Sequence, residues 1–318
     1  MGADRPDDPD VPPDEPAKSR NDRGGDGQTA RAGGARAGGL AETRTRQECY
    51  ADLRVAVSRQ ESAAARQATQ EEQAAAERWQ QTAAESRWMW GEYRRKWPPG
   101  ERPRAAGSRD SPGSWHGAGD RSLDRAVNGR VEAECDRIAE REQLTISPAM
   151  RAVESQDSDR HLIGFEYRLK GRDRIKEKIY GTTNDFGRSP EQAVSLLPDA
   201  IRYTFQYREA RYTQGVWADL ERLKDQGFKL DKLKNYWSDD QYKGINSQWI
   251  EPATGQRFEV QFHTRISFEA KQLTHPAYER LRSRQPDNFE QMVLEAFQKK
   301  VTAAVPVPPG ATDIPDYP

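Results

Sequence analysis

The chain has 318 residues, of which 34% are hydrophobic and 32% charged, so part of it cannot bury a core. Its 50 Lys and Arg against 51 Asp and Glu give a net charge of −1, which excludes a general attraction to nucleic acid or to an anionic membrane. Two cysteines, Cys49 and Cys135, support neither a disulfide framework nor a zinc site by themselves.

Residues 1–44 are Gly, Ala, Asp, Arg and Pro with almost no large apolar side chain, and the composition predicts a disordered, low-complexity segment. The acidic, proline-bearing start is the reverse of a secretory signal, and no apolar run approaches membrane length. A reducing, cytoplasmic setting is therefore expected. Residues 45–97 are rich in Ala, Gln, Glu and Arg. In their second half Trp79, Ala83, Ser86, Trp90, Tyr93 and Trp97 recur at spacings of 4 and 3. That stripe predicts a helix laid against the domain or against a partner, with self-association as the sharper alternative. Residues 98–121 read as a Pro/Gly linker, and a globular domain is expected over 122–303 with a flexible tail at 304–318.

Within that domain Leu123, Val127, Val131, Cys135 and Ile138 mark a helix face, and HLIGFEYRL a strand. The basic run from Arg168 to Lys178 opens a helix. Ser189-Pro190-Glu191-Gln192 is a capping box with Pro at the first helical position. Asp199 heads the strand AIRYTFQY, and a helix then runs to a stop at Gly227. FKLDKLKNYW is a strand and loop. From Tyr242 to Thr264 two alternating stretches flank Pro252, Thr254 and Gly255, which predicts a hairpin. Asp287 caps a last helix with Phe289, Met292, Val293 and Phe297 on one face. The order of elements is a mixed α/β pattern, expected to form a mixed sheet flanked by helices.

In the second hairpin strand, alternation puts Phe258, Val260 and Phe262 on one face and Glu259 and Gln261 on the other. A carboxylate in the middle of a strand otherwise built for burial points to chemistry. Three charged sets belong at one end of such a sheet: the cations Arg168, Lys170 and Lys178, then Asp199, then Glu259. Two carboxylates with several cations suit a magnesium-bound polyphosphate, since Mg²⁺ takes one or two carboxylates plus phosphate oxygens and Lys/Arg neutralise the remainder.

Taken together, R-x-K…K, D-x-x-R-Y-T, K-N-Y-W, Y-K-G-I-N and F-E-V-Q-F-H-T occur in the order in which they resemble the RelA/SpoT synthetase domain in its small single-domain form. The resemblance covers roughly residues 122–301. It implies a nucleotidyltransferase-like synthetase fold that moves pyrophosphate from ATP to the ribose 3′-hydroxyl of GDP or GTP, with Mg²⁺, making (p)ppGpp. By this resemblance Arg168, Lys170 and Lys178, with Arg174 in place of the family's serine, bind ATP. Asp199 and Glu259 hold metal, and Glu259 assists the acceptor hydroxyl. Tyr242 stacks on the acceptor base, while Lys234, Asn246 and Gln261 complete the acceptor side. Asn246 stands where better-known members carry histidine, and the 234–242 loop carries Asp239 and Asp240 instead of a basic approach. These departures are closer to divergent and toxin-like small synthetases, and they leave guanosine nucleotides, adenosine nucleotides and the tRNA 3′ end open as acceptors. A binding-only module is the remaining alternative. The four histidines, His116, His161, His263 and His275, do not supply the metal set of the family's hydrolase half.

Overall fold

A computed structural model describes residues 46–98, 113–117, 121–282 and 286–318. The chain divides into two units, 1–56 and 57–318. Within the first, the described part is the opening of helix α1 (Arg46–Lys96). The segment expected to be disordered, 1–44, lies outside the described residues.

The second unit carries a short strand pair, β1 (Trp115–His116) with β2 (Ser122–Leu123), then α2 (Arg125–Arg141), a π-helical turn at Glu142–Ile146 and α3 (Ser147–Glu154). β3 (Arg160–Leu162), α4 (Arg172–Phe186), α5 (Pro190–Ser195), β4 (Arg202–Tyr207) and α6 (Tyr212–Asp225) follow. β5 (Lys229–Asn235), β6 (Ile245–Glu251), β7 (Gln256–Thr264), α7 (Arg265–Arg282) and α8 (Asn288–Ala303) complete it. The predicted capping box is present: Ser189 Oγ accepts from Gln192 N and the Gln192 side chain accepts from Ser189 N. No helix among the described residues is long and apolar enough to cross a membrane.

The main sheet has the order β3-β4-β7-β6-β5, with β4 and β7 parallel and the other pairs antiparallel. β6 and β7 form the predicted hairpin. Its turn is held by the Glu251 carboxylate, which accepts from Ala253 N and Thr254 N at 2.9 Å each, with Gly255 at φ +73°. β7 is central, so both of its faces are covered. One face is apolar: Tyr203, Phe205 and Tyr207 of β4, Phe258, Val260 and Phe262 of β7 and Trp249 of β6 are all buried. α2, α3 and α6 add Ile138, Met150, Val153, Val216 and Leu220 to this core. At the β3 edge a buried Arg160 pairs with Asp219 of α6, which also accepts from Tyr207 Oη at 2.6 Å. The remaining donors of Arg160 reach the carbonyls of Val153, Glu154 and Asp157, so the charge is satisfied on every side.

Four expectations are corrected. The domain does not start at 122, because the second half of α1 lies against it as the stripe predicts: Trp79 is 1% exposed and its Nε1 donates to Glu269 Oε2 of α7 at 2.5 Å. Further along it, Tyr93 Oη donates to Glu290 Oε1 at 2.6 Å and Trp90 packs on Phe297 of α8. The heptad stripe is thus a docking seam, and the folded unit begins well before Ser122. The end of the expected linker is also structured, with Trp115 buried and bonded to Asp173 Oδ1 at 3.1 Å. The tail after Val305 is packed, because Tyr317 exchanges two backbone hydrogen bonds with Leu233 and Ala311 and Ile314 are buried. Last, α8 turns Glu290, Leu294, Phe297 and Val301 inward and leaves Phe289 and Met292 exposed, since Arg280 and Tyr93 give the Glu290 carboxylate its partners.

Candidate functional site

The second face of the sheet is polar, and register assembles it. Arg202 of β4 lies beside Glu259 of β7, and Thr204 beside Gln261. Gln261 in turn faces Asn246 of β6, which faces Lys234 of β5. Because partners across a ladder share a face, Arg202, Glu259, Gln261, Asn246 and Lys234 all point the same way. α7 lies against this face: Ser267 Oγ is 2.9 Å from His263 Nδ1, and Lys271 donates to Gln261 Oε1.

Asp199 occupies a single 3₁₀ turn, Pro198–Ala200, just before β4. The stretch carrying Arg168 and Lys170 runs beside it, since Lys170 N donates to Ala200 O and Arg202 N to Arg168 O. Three cations therefore meet Asp199 Oδ2: Lys178 Nζ at 2.5 Å, Lys170 Nζ at 3.1 Å and Arg202 Nη2 at 3.4 Å. Burial alone would raise the Asp199 carboxyl, but Lys178 and Lys170 overcome it and hold it below its ordinary value. Burial lowers the Lys170 amine, with Asp199 opposing and Lys178 adding to the shift.

Arg202 links the two acidic residues. Its Nε donates to Glu259 Oε2 at 2.7 Å while Nη2 faces Asp199. Glu259, 8% exposed, is further held through Oε1 by the Gln261 amide at 2.6 Å. The result is one connected chain, Lys170 and Lys178 to Asp199, Arg202, Glu259, Gln261 and Lys271. Such a chain fixes carboxylate orientation without movement of the backbone.

Tyr242 enters from the loop between β5 and β6. Its hydroxyl donates to Asn246 Oδ1 at 2.9 Å and lies 2.8 Å from His263 Nε2, while His263 Nδ1 lies 2.9 Å from Ser267 Oγ. Burial, reinforced by Lys271, pushes the His263 pKa well below the histidine range, which keeps the imidazole neutral. Burial, then Glu259, raises the Tyr242 phenol well above its usual value. Gly244 makes room for this arrangement: at φ +147°, a Cβ there would lie 2.7 Å from the His263 ring.

The structure thus brings together Asp199, Lys170, Lys178, Glu259, Gln261, Tyr242 and Asn246. Three other expected residues have partners outside this cluster. Arg168 Nε is bonded to Glu142 Oε1 at 2.5 Å, a buried carboxylate shared with Ser147 and Tyr203. Arg174 is an exposed helix-surface residue paired with Glu177 at 3.0 Å. Lys234, on the sheet edge with its side chain 39% exposed, holds Asp316 of the tail at 2.6 Å. Sequence reasoning missed Arg202, Lys271 and His263 as members of the site. The D-x-x-R spacing carried a signal for the first. For Lys271 it was a lysine at i+4 within the otherwise small, inward stripe Ser267, Thr274 of α7.

Among the described residues no group of three or more His, Cys, Asp or Glu gathers to hold a metal. Asp199 and Glu259 nonetheless fit Mg²⁺ by donor chemistry: two hard oxygen ligands within reach of one guanidinium match the ion's habit of completing its shell with phosphate oxygens.

No protein-family model and no curated protein matches the chain. Solved structures to which it is similar include the small alarmone synthetase 1 from Bacillus subtilis, at 14% identity and TM-score 0.38, over 55% of this chain and 89% of that one. That synthetase bound to its product pppGpp is similar at 13% identity and TM-score 0.36, over 51% and 86% of the two chains. A GTP pyrophosphokinase family protein from Streptococcus pneumoniae is similar at 17% identity and TM-score 0.39, over 55% of this chain and 88% of that one.

Proposed function

We propose that the chain is a Mg²⁺-dependent ATP:nucleotide 3′-pyrophosphotransferase, making alarmones of the (p)ppGpp type from ATP and a purine nucleotide. The observation that carries the reading is the Arg202 bridge between Asp199 and Glu259, flanked by Lys170 and Lys178 on one side and Tyr242 on the other. In the reaction the acceptor 3′-oxygen attacks the β-phosphorus of ATP, the bond to the α,β-bridging oxygen breaks, and AMP leaves. Lys170 and Lys178 stabilise negative charge on the polyphosphate, and Glu259 accepts the hydroxyl proton. Tyr242 stacks on the acceptor base. Asp199 and Glu259 would hold Mg²⁺, which supplies charge neutralisation on the phosphate oxygens. Chemistry of this kind asks for positioning and electrostatics more than for a covalent intermediate.

The test is transfer from ATP labelled on its terminal phosphate to GDP, GTP, ADP, ATP or bulk tRNA, each offered separately. Label is expected on a free purine nucleotide, and Glu259→Gln should lower the rate by at least about 10²-fold while ATP binding survives. Label on the tRNA 3′ end, with affinity collapsing between about 50 and 200 mM salt, would assign the chain to RNA modification instead. ATP binding with no labelled product from any acceptor would leave a nucleotide-binding module.

A further inference from the structure

Each cation on the ATP side of the site has a carboxylate: Lys170, Lys178 and Arg202 meet Asp199, and Arg202 also meets Glu259. Lys271 differs. It is half-buried on α7, its amine donates to the neutral Gln261 Oε1, and it lies 5.3 Å from the centroid of the Phe268 ring. Among the described residues no carboxylate lies within ion-pair distance of it. An ammonium withdrawn from bulk water and held by an amide oxygen is a receptor for an anion.

Its position indicates which anion. Gln261 follows Glu259 by two residues on β7, about 7 Å along the strand, and directly faces Asn246, whose oxygen accepts the Tyr242 hydroxyl. Lys170 and Lys178 lie at the opposite, Asp199 end. Lys271 therefore stands on the Tyr242 side of Glu259. Lys234, the residue to which the motif resemblance gives the acceptor phosphates, is on the outer strand and bound to Asp316.

We propose that Lys271 binds the 5′-phosphate groups of the acceptor, a nucleoside di- or triphosphate, by exchanging the Gln261 carbonyl for a phosphate oxygen. This assignment rests on the pyrophosphotransferase reading. The Gln261 amide stays on Glu259 during the exchange, so acceptor binding leaves the orientation of the carboxylate intact.

The test uses the full chain with the ATP side saturated by a non-transferable ATP analogue, and reads acetylation of Lys271 by mass spectrometry. GDP or ADP should slow that acetylation several-fold, and guanosine and adenosine should not. In direct titrations Lys271→Met should weaken GDP or ADP by about 10- to 100-fold, the scale of a charge-assisted bond to phosphate. It should leave the ATP analogue within about two-fold, and Lys271→Arg should restore most of the loss. Protection by the ATP analogue alone, or equal diphosphate affinity in wild type and Lys271→Met, overturns the assignment. The labelling needs no turnover, so protection in a protein that transfers nothing would sink the proposed reaction and keep this site. Transfer with Lys271 unprotected would do the reverse. Should Lys271→Met fail to fold, labelling of the wild-type chain decides.

Discussion

Trp79→Ala tests whether helix α1 is part of the folded unit. The indole is 1% exposed between the buried Ala75 and Ala83, and its N–H reaches a carboxylate 190 residues away in sequence. Removing a fully buried Trp costs about 3–5 kcal/mol, because small neighbours cannot collapse into the space left behind. Glu269 keeps Arg265 at 2.8 Å, so little is added for an orphaned carboxylate. For a unit of this size each kcal/mol moves the midpoint by about 2–4 °C, so Trp79→Ala should lower it by roughly 6–20 °C in a thermal melt followed by circular dichroism. Trp79→Phe keeps most of the packing and loses the hydrogen bond, and should cost about 1 kcal/mol. A fragment beginning at Ser122 would expose the surfaces of α7 and α8 that the Trp79–Trp97 stripe covers, and should aggregate or melt early. A Trp79→Ala midpoint within about 2 °C of wild type would refute the reasoning, and α1 would then be an appendage.

Two further predictions concern the tail and the proton dependence of the site. Asn235 Nδ2 donates to the carbonyls of Ala311 and Ile314, at 2.8 and 2.7 Å, so Asn235→Ala should release residues 304–318 to hydrogen exchange and protease while the β6–β7 hairpin stays protected; an unchanged tail would mean that burial of Ala311 and Ile314 suffices. Burial and Arg202 pull the Lys271 amine down to about 8, with Glu259 opposing, so it is charged below that pH and neutral above it. Transfer at limiting acceptor should therefore fall as pH rises through about 8, the fall should vanish in Lys271→Arg, and a rate flat from pH 7 to 10 would count against the role given to Lys271.

The hairpin was legible because its information is local. Alternation over 245–251 and 256–264 fixes which residues share a face; that the face of Glu259, Gln261 and His263 is covered as well as that of Phe258, Val260 and Phe262 came only with α7. The α1 stripe was legible as a seam for the same reason. Its partner was not, since the acceptors for Trp79 and Tyr93 lie on helices roughly 190 residues later. The tail is harder still: 304–318 has no period, and it is held by one β-bridge, the Asp316–Lys234 pair and the side chain of Asn235. A proline-rich string reads as loose when the groups that satisfy its backbone belong to another strand.

The site divides along the same line. Glu259 could be picked out because a carboxylate within a buried strand is costly wherever it sits, whereas Asp199, an ordinary turn residue by itself, stood out only through its combination with the basic run and the motif order. A basic residue carries no comparable mark. Arg168, Arg174 and Lys234 are as basic as Lys170 and Lys178, yet the first neutralises the buried Glu142, the second serves a helix surface and the third ties down the tail. What separates them is register: Lys170 enters the site because its backbone pairs with Ala200, and Arg202 because it lies beside Glu259 across a parallel ladder. Lys271 enters because α7 turns back over β7 directly after Thr264. Glu259 could therefore be singled out from cost, whereas the cations around it had to be placed from topology. A motif that supplies the number of positive charges does not by that fact supply which of them meet Asp199 and Glu259.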